Sequence, residues 1–165
     1  LGYRAPNFSI RDDWPYNALV QAGYVYDSSL YPIRHPRYGN PGRETTPHEV
    51  RRPGGKLFVF PLAAASLRIF GRELRLPIAG GAYWRLLPRS YVRWGLRRII
   101  RRERRPCVCY FHPWELVPMS GVRADIRFAT GRTALQRLDA LFSRLQNDRV
   151  AFVTMSEVAA TSHTA

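Results

Sequence analysis

The sequence predicts an α/β fold, parallel strands joined by crossover helices, on three observations. Short apolar runs alternate with helix-period patterns along most of the chain, the order a βαβ arrangement leaves in a sequence. The 165 residues suffice for one domain and are too few for two. A hydrophobic content of 45% with 13% aromatic residues supplies a core and excludes global disorder.

The elements follow in order. Leu1 to Tyr3 reads as the end of a strand that runs into a loop at Arg4-Ala5-Pro6-Asn7. Asp12 or Asp13 caps a short helix, with Pro15 in its first turn and Gly23 at its end. Tyr24 to Asp27 is a second strand. Residues 28 to 56, rich in Pro, Gly, Arg and Thr, lack periodicity and read as one long loop, functional or poorly ordered. Leu57 to Phe60 is an apolar strand stopped by Pro61. Residues 62 to 87 are mixed, with a turn at Gly80-Gly81. A basic helix spans about Pro88 to Arg105, weakened by Gly95 and broken by Pro106. Cys107 to Phe111 forms another apolar strand, and His112 to Thr130 is irregular. Thr133-Ala134-Leu135-Gln136 has the pattern of a capping box opening an amphipathic helix to about Gln146. Val150 to Thr154 is the last strand, Ser156 caps a terminal helix, and residues 161 to 165 read as a loose tail.

The net charge is +14, and half of it is concentrated. Between Arg89 and Arg105 stand eight arginines against Glu103 alone. A solvated helix face opposite Val92, Leu96, Ile99 and Ile100 is the plainer reading. Attraction to phosphates, acidic glycans or anionic lipids is the alternative. Lys56 is the only lysine, a bias that reflects coding composition more than binding, so no nucleic-acid partner is expected. No run approaches the roughly 20 apolar residues of a membrane span, so no transmembrane segment is expected. No cleavable leader pattern opens the chain. Cys107 and Cys109 share one strand face, a poor geometry for a disulfide, and are too few for a zinc site. As core thiols they tilt the localisation toward the cytoplasm without fixing it.

In α/β folds function gathers at the carboxyl ends of strands, where Arg4, Asp27 and His112 each stand. A histidine side chain can give a proton to a leaving group, so His112 can act as an acid, or it can be a loop histidine bonded to nearby backbone. Arg4 alone says little. Asp27 can form an Asx turn, or accept a histidine ring N–H and so orient it. Trp14 and Trp114 can wall a sugar ring or fill core.

Taken together these segments resemble the polysaccharide deacetylase (NodB-homology) family, in the branch found beside bacterial exosortase and exopolysaccharide loci. Tyr3-Arg4-Ala5-Pro6-Asn7-Phe8-Ser9-Ile10 is similar to its Arg-x-Pro motif. Gly23-Tyr24-Val25-Tyr26-Asp27-Ser28-Ser29-Leu30-Tyr31-Pro32 resembles the segment after the next helix. Ile33-Arg34-His35-Pro36-Arg37-Tyr38-Gly39 and Ala79-Gly80-Gly81-Ala82-Tyr83-Trp84-Arg85-Leu86-Leu87-Pro88 look like markers of the branch. Tyr110-Phe111-His112-Pro113-Trp114-Glu115-Leu116 resembles the last motif, which ends in His-Pro. Thr133 to Val158 is similar to the closing helix, strand and helix.

The resemblance implies the C-terminal part of an irregular β/α barrel over residues 1 to 160, with its N-terminal strands missing. It implies hydrolysis of N-acetyl groups on a polysaccharide substrate, in association with an exopolysaccharide synthesis system. A divalent metal, usually zinc, serves such enzymes by polarising the amide carbonyl and activating a water. By the resemblance His112 is the general acid, Arg4 orients the catalytic base, and Asp27 tunes the histidine. Tyr110, Trp114 and Pro6 line the acetyl or sugar pocket, although the family often has an aliphatic residue where Tyr110 stands. Val117 departs from the acidic residue expected after Trp-Glu-Leu. The Thr-Phe-Asp-Asp and His-x-x-x-His type motifs, which supply base and metal ligands upstream of Arg4, are absent, so no metal ligand is expected here. The remaining histidines, His35, His48 and His163, lack ligand spacing. The expectation is therefore a partial catalytic domain, inactive alone, with strand edges and apolar surface exposed. A non-catalytic glycan-binding or scaffolding protein, or a basic binder of nucleic acid or membrane surface, are the competing readings.

Overall fold

The structure, a computed structural model, describes residues 1–8, 10, 12–36 and 38–161. Ser9 and Arg37 of the motifs above, His163 and the expected tail beyond Thr161 lie outside the described residues. The architecture is mixed α/β with small sheets, and no barrel closes among the described residues.

One sheet has the order β1 (Gly2–Tyr3), β2 (Tyr26–Asp27), β4 (Gly55–Val59), β3 (His48–Arg52). β1, β2 and β4 run parallel, and β3 returns antiparallel on β4. The parallel pairing continues past β4, because Leu62 bridges Val108 and Gly80 bridges Tyr110, both in parallel. Tyr3, Asp27, Val59 and Tyr110 thus stand on neighbouring chain paths, and the loops that follow them emerge at one end.

β4 explains how the molecule divides its core. Its side chains alternate across the sheet, as the two-residue period of a strand requires. Leu57 and Val59 pack with Ala5, Ile10, Tyr16, Leu19 and Leu30 on the side of α1 (Trp14–Gln21). Phe58 and Phe60 pack on the other face with Tyr31, Ile33, Leu62, Ile78, Trp84, Leu96 and Val108. A continuous apolar run is what a strand buried on both faces needs.

α1 starts after Asp13 with Pro15 in its first turn, and its C-terminus closes on Gly23. Gly23 has φ 79°; its N–H donates to the Val20 carbonyl, and the Tyr24 N–H donates to the Leu19 carbonyl. That pair of bonds needs a left-handed residue, which glycine adopts without cost. Asp13 does not cap the helix with its side chain; its carboxylate is drawn to Arg43 and Arg52 instead.

Several expected elements differ. The loop expected over residues 28 to 56 contains β3, whose pattern is obscured because its residues are only half-buried. The mixed segment holds a hairpin, β5 (Ala64–Ile69) and β6 (Arg72–Pro77), turned by Phe70 (φ 49°) and Gly71 (φ 76°). Positive φ at both central residues is the turn that matches strand twist. It is followed by α2 (Gly81–Leu86). The basic helix is α3 (Arg89–Arg97) continued by a π-type segment, Arg98–Arg102. Not all its arginines are solvated: Arg105 is buried and donates to Glu103, the Thr45 carbonyl and the Ala64 carbonyl. Cys107 to Phe111 contributes two isolated bridges and no longer ladder.

Between Pro113 and Arg127 lie a 3-10 turn, Pro113–Leu116, and α4 (Ala124–Arg127). α5 (Arg132–Asn147) begins after Gly131, so Thr133 lies inside it and caps nothing. Val150 to Thr154 has no ladder partner among the described residues, and Phe152 and Val153 are exposed. α6 (Met155–Thr161) is capped by Thr154 and not Ser156. The Glu157 N–H donates to Thr154 Oγ1 (3.2 Å), and the Thr154 N–H donates to Glu157 Oε2 (2.6 Å).

Gly95 has a packing reason. A Cβ there would stand 2.2 Å from Ile78 Cδ1 and 2.7 Å from Ile78 Cγ1, with Ile78 fully buried. Gly95→Ala is expected to destabilise the fold by about 1–3 kcal/mol through overpacking, against the helix-propensity gain of about 1 kcal/mol. Urea unfolding measures the balance; a stabilised variant would show that α3 does not sit this close.

Candidate functional site

The Arg4 loop is built from hydrogen bonds to the chain that follows β2. Arg4 Nε donates to the Ser28 carbonyl (2.9 Å) and Nη2 donates to Ser28 Oγ (2.8 Å). The Ala5 N–H donates to Ser29 Oγ (2.7 Å), and Ser29 Oγ donates to Asp27 Oδ1 (2.5 Å). The Ser29 N–H closes on Asp27 Oδ2 (3.0 Å). Asp27 is fully buried. Burial pushes its carboxyl above the usual carboxylate range, while the Ser29 bonds and the Arg4 charge pull the other way. Burial also lowers the Arg4 guanidinium, with Asp27 opposing.

Aromatic packing carries the site across to the other chain segment. Pro6–Phe8 forms a 3-10 turn in which Asn7 (φ 55°) and Phe8 (φ 52°) are left-handed. Left-handed backbone is uncommon in residues with side chains, and it serves here to bury Phe8. The Phe8 ring lies 4.8 Å from that of Tyr110. The Arg4 guanidinium carbon lies 6.0 Å from the same Tyr110 ring. On from Tyr110, His112 makes an edge contact at 5.5 Å, and His112 stacks on Trp114 at 5.6 Å with 14° between planes.

The His112 loop is held from beneath by Glu115. The 3-10 turn begins with Pro113, whose ring fixes φ at the first position, and places Glu115 at the third. The His112 N–H donates to Glu115 Oε2 (2.8 Å), and Arg85 Nε donates to Glu115 Oε1 (2.8 Å). Both side chains of that ion pair are almost wholly buried, at 5% and 2% exposure. Arg85 spends Nη1 on the Phe128 and Ile126 carbonyls (2.6 and 3.2 Å), and its guanidinium carbon lies 5.4 Å from the Trp114 ring. Gly81 leaves the room: a Cβ there would stand 2.0 Å from Glu115 Oε2.

Arg4, Tyr110, His112 and Trp114 are therefore one contiguous group, while Asp27 sits behind Arg4 and meets Ser29, not the His112 ring. Asp27 positions the Arg4 loop. Pro6 is exposed beside Phe8, at the edge of the cluster. Trp14 is exposed at the start of α1, away from the aromatic row. Phe8, Glu115, Arg85 and Gly81 lie within the motifs quoted above, but the sequence assigns none of them a role at the site. The spacing His112-Pro113-x-Glu115 was the available signal, a 3-10 start with a carboxylate three residues on. The two thiols of Cys107 and Cys109 lie 3.8 Å apart, unbonded.

Residues 28–160 match the domain of unknown function DUF3473. The chain belongs to the DUF3473 family. The match takes in Tyr110, His112, Trp114, Glu115, Arg85 and the two serines, whereas Arg4, Pro6 and Asp27 precede it. Phe8 and Arg4, which meet the Tyr110 ring, thus come from chain outside the matched segment. No curated protein and no solved structure matches this DUF3473 chain. Among the described residues no three His, Cys, Asp or Glu side chains gather as metal ligands do. No described helix is long and apolar enough to cross a membrane.

Two outcomes follow. Glu115→Ala leaves the Arg85 charge buried without its partner, so it is expected to cost about 3–5 kcal/mol in urea unfolding; a loss under 1 kcal/mol would contradict the buried pair. For Asp27, a folded pKa raised above the unfolded value means stability present at low pH and lost as pH rises through the raised value. Asp27→Asn removes that loss, so its stability relative to wild type should grow as pH rises from about 4. A difference that stays constant with pH would show that Asp27 is not shifted upward.

Proposed function

We propose that this chain is part of the catalytic domain of a metal-dependent polysaccharide deacetylase, contributing the general acid and one wall of the substrate cleft. The observation that carries the reading is that Arg4 and His112, from distant parts of the sequence, flank the same Tyr110 ring at the ends of parallel chain paths. The bound metal supplies carbonyl polarisation and an activated water. The described residues are given neither the metal-ligand nor the base role, and the strands this chain contributes form part of an irregular β/α barrel.

The residues present define the rest. His112 is exposed, so substrate can reach its ring. Trp114 lies flat against the imidazole and Tyr110 meets its edge, which leaves the ring little freedom to turn. A ring so held, carrying a proton, gives it to the amine nitrogen as the C–N bond of the N-acetyl group breaks. Trp114 is 36% exposed and offers an apolar face for a sugar ring. Arg4, with Nε and Nη2 fixed on Ser28, keeps its charge beside this cleft and orients the carboxylate that serves as base. The substrate class is an N-acetylated polysaccharide, within an exopolysaccharide synthesis system.

The test uses the intact gene product with zinc and an N-acetylated oligosaccharide, following acetate release. His112→Asn is expected to lower kcat by about 10²–10⁴-fold with KM little changed, the range of general acid catalysis. Unchanged kcat would remove His112 from the reaction. Glycan binding without any acetate release by the wild-type polypeptide would favour a binding role instead.

A further inference from the structure

A second concavity lies behind the His112 loop. It has a volume of 320 Å³, enclosed between the corner of α2 and α3, the inner face of α5, and Phe111 with Leu116. Its walls are apolar: Trp84, Val92, Phe111, Leu116, Leu138 and Leu141. That size falls in the range of small-molecule sites, roughly 300–1,000 Å³.

Its rim has the opposite character. Arg89, Arg93 and Arg144 all line it. Arg89 and Arg93 are exposed and stand one helical turn apart on α3, a spacing at which like charges repel. Among the described residues neither has an acidic side chain in ion-pair contact, although Arg97, Arg98 and Arg105 nearby each have one. Arg144 reaches Asp148 only at 3.7 Å. On the wall, Arg137 gives Nη1 to the Trp84 and Arg85 carbonyls, and its Nε is a buried donor without an acceptor. The pocket therefore combines an apolar interior with a cationic mouth at which Arg89 and Arg93 have no acidic partner among the described residues.

We propose that this cavity binds a single-chain amphiphile with an anionic head, its alkyl chain among Trp84, Phe111, Leu138 and Leu141 and its phosphate or carboxylate on Arg89 and Arg93. An alkyl chain is removed from water by the walls, and an anion relieves the repulsion at the mouth. Neither group alone uses both features. The inference stands independently of the deacetylase reading, since it uses neither Arg4 nor the His112 ring.

Isothermal titration of the intact protein with decyl phosphate below its micelle concentration tests it, with decanol, inorganic phosphate and anionic phospholipid vesicles as separate arms. The expected result is saturable one-to-one binding of decyl phosphate and at least tenfold weaker binding of decanol and of phosphate. The double variant R89A/R93A should weaken decyl phosphate at least tenfold, and Leu138→Trp, which fills the cavity, should abolish binding. Circular dichroism checks that Leu138→Trp is folded, and the arginine variant carries the test if it is not. Absent binding, equal affinity for inorganic phosphate, or unchanged affinity in R89A/R93A would overturn the proposal. Vesicle binding that survives in folded Leu138→Trp, with no binding of monomeric decyl phosphate, would assign the arginines to a membrane surface and also overturn it.

Discussion

The carboxylate of Glu115 is buried beneath the His112 loop, and the geometry around it depends on how its charge is satisfied. Arg85 takes one oxygen and the His112 N–H takes the other. Removing an ion from water costs several kcal/mol, and such a site is tolerated only when both oxygens are bonded. The consequence is positional. His112 cannot move without breaking a bond to a buried charge, and Arg85 cannot move without leaving the carbonyls of Ile126 and Phe128. Gly81 belongs to the same arrangement, because any side chain there would occupy the carboxylate's space. One ion pair thus ties α2, the 3-10 turn and the chain near α4 into the support of a single imidazole.

The Arg4 side solves its problem differently. Among the described residues no acidic side chain is hydrogen-bonded to Arg4; Ser28 Oγ accepts from Arg4 and donates to the Phe60 carbonyl, while Ser29 Oγ relays between the Ala5 N–H and Asp27. Phe8, in strained backbone, wedges the loop against Tyr110. The two halves meet at the Tyr110 ring, which fixes the relation of guanidinium to imidazole. The DUF3473 match begins at Ser28, so it takes in the His112 side and the two serines but not Arg4, Phe8 or Asp27.

Much of this was legible in the sequence where local chemistry decides it. The Leu57 to Phe60 strand, the α1 terminus at Gly23 and the amphipathic α5 follow from periodicity and from a left-handed glycine. Arg4, Tyr110, His112 and Trp114 were picked out by motif, and they do stand together. What was hidden depends on partners far along the chain. β3 is half-buried and carries little pattern, and Gly95 looks like a helix weakness until Ile78 is placed against it. Val150 to Thr154 has strand composition but no neighbour to pair with among the described residues. For Asp27 the sequence leaves an Asx turn and a histidine partner both open; Ser29, two residues on, takes both carboxylate oxygens with its N–H and its hydroxyl, as short-range bonds do in an Asx-type turn. Arginine at position 105 reads as one more surface charge, and its burial appears only when the carbonyls of Thr45 and Ala64 are brought to it.

Convergence of Arg4 and His112 on one aromatic ring is the central claim, and nuclear magnetic resonance of a Tyr110→Leu variant reads it without any substrate. Both groups lie within the reach of that ring's current, so the Arg4 Nε–H and the His112 Cε1–H resonances should both shift when it is removed. A change confined to one of the two, with the fold intact, would place guanidinium and imidazole on separate surfaces and contradict the account.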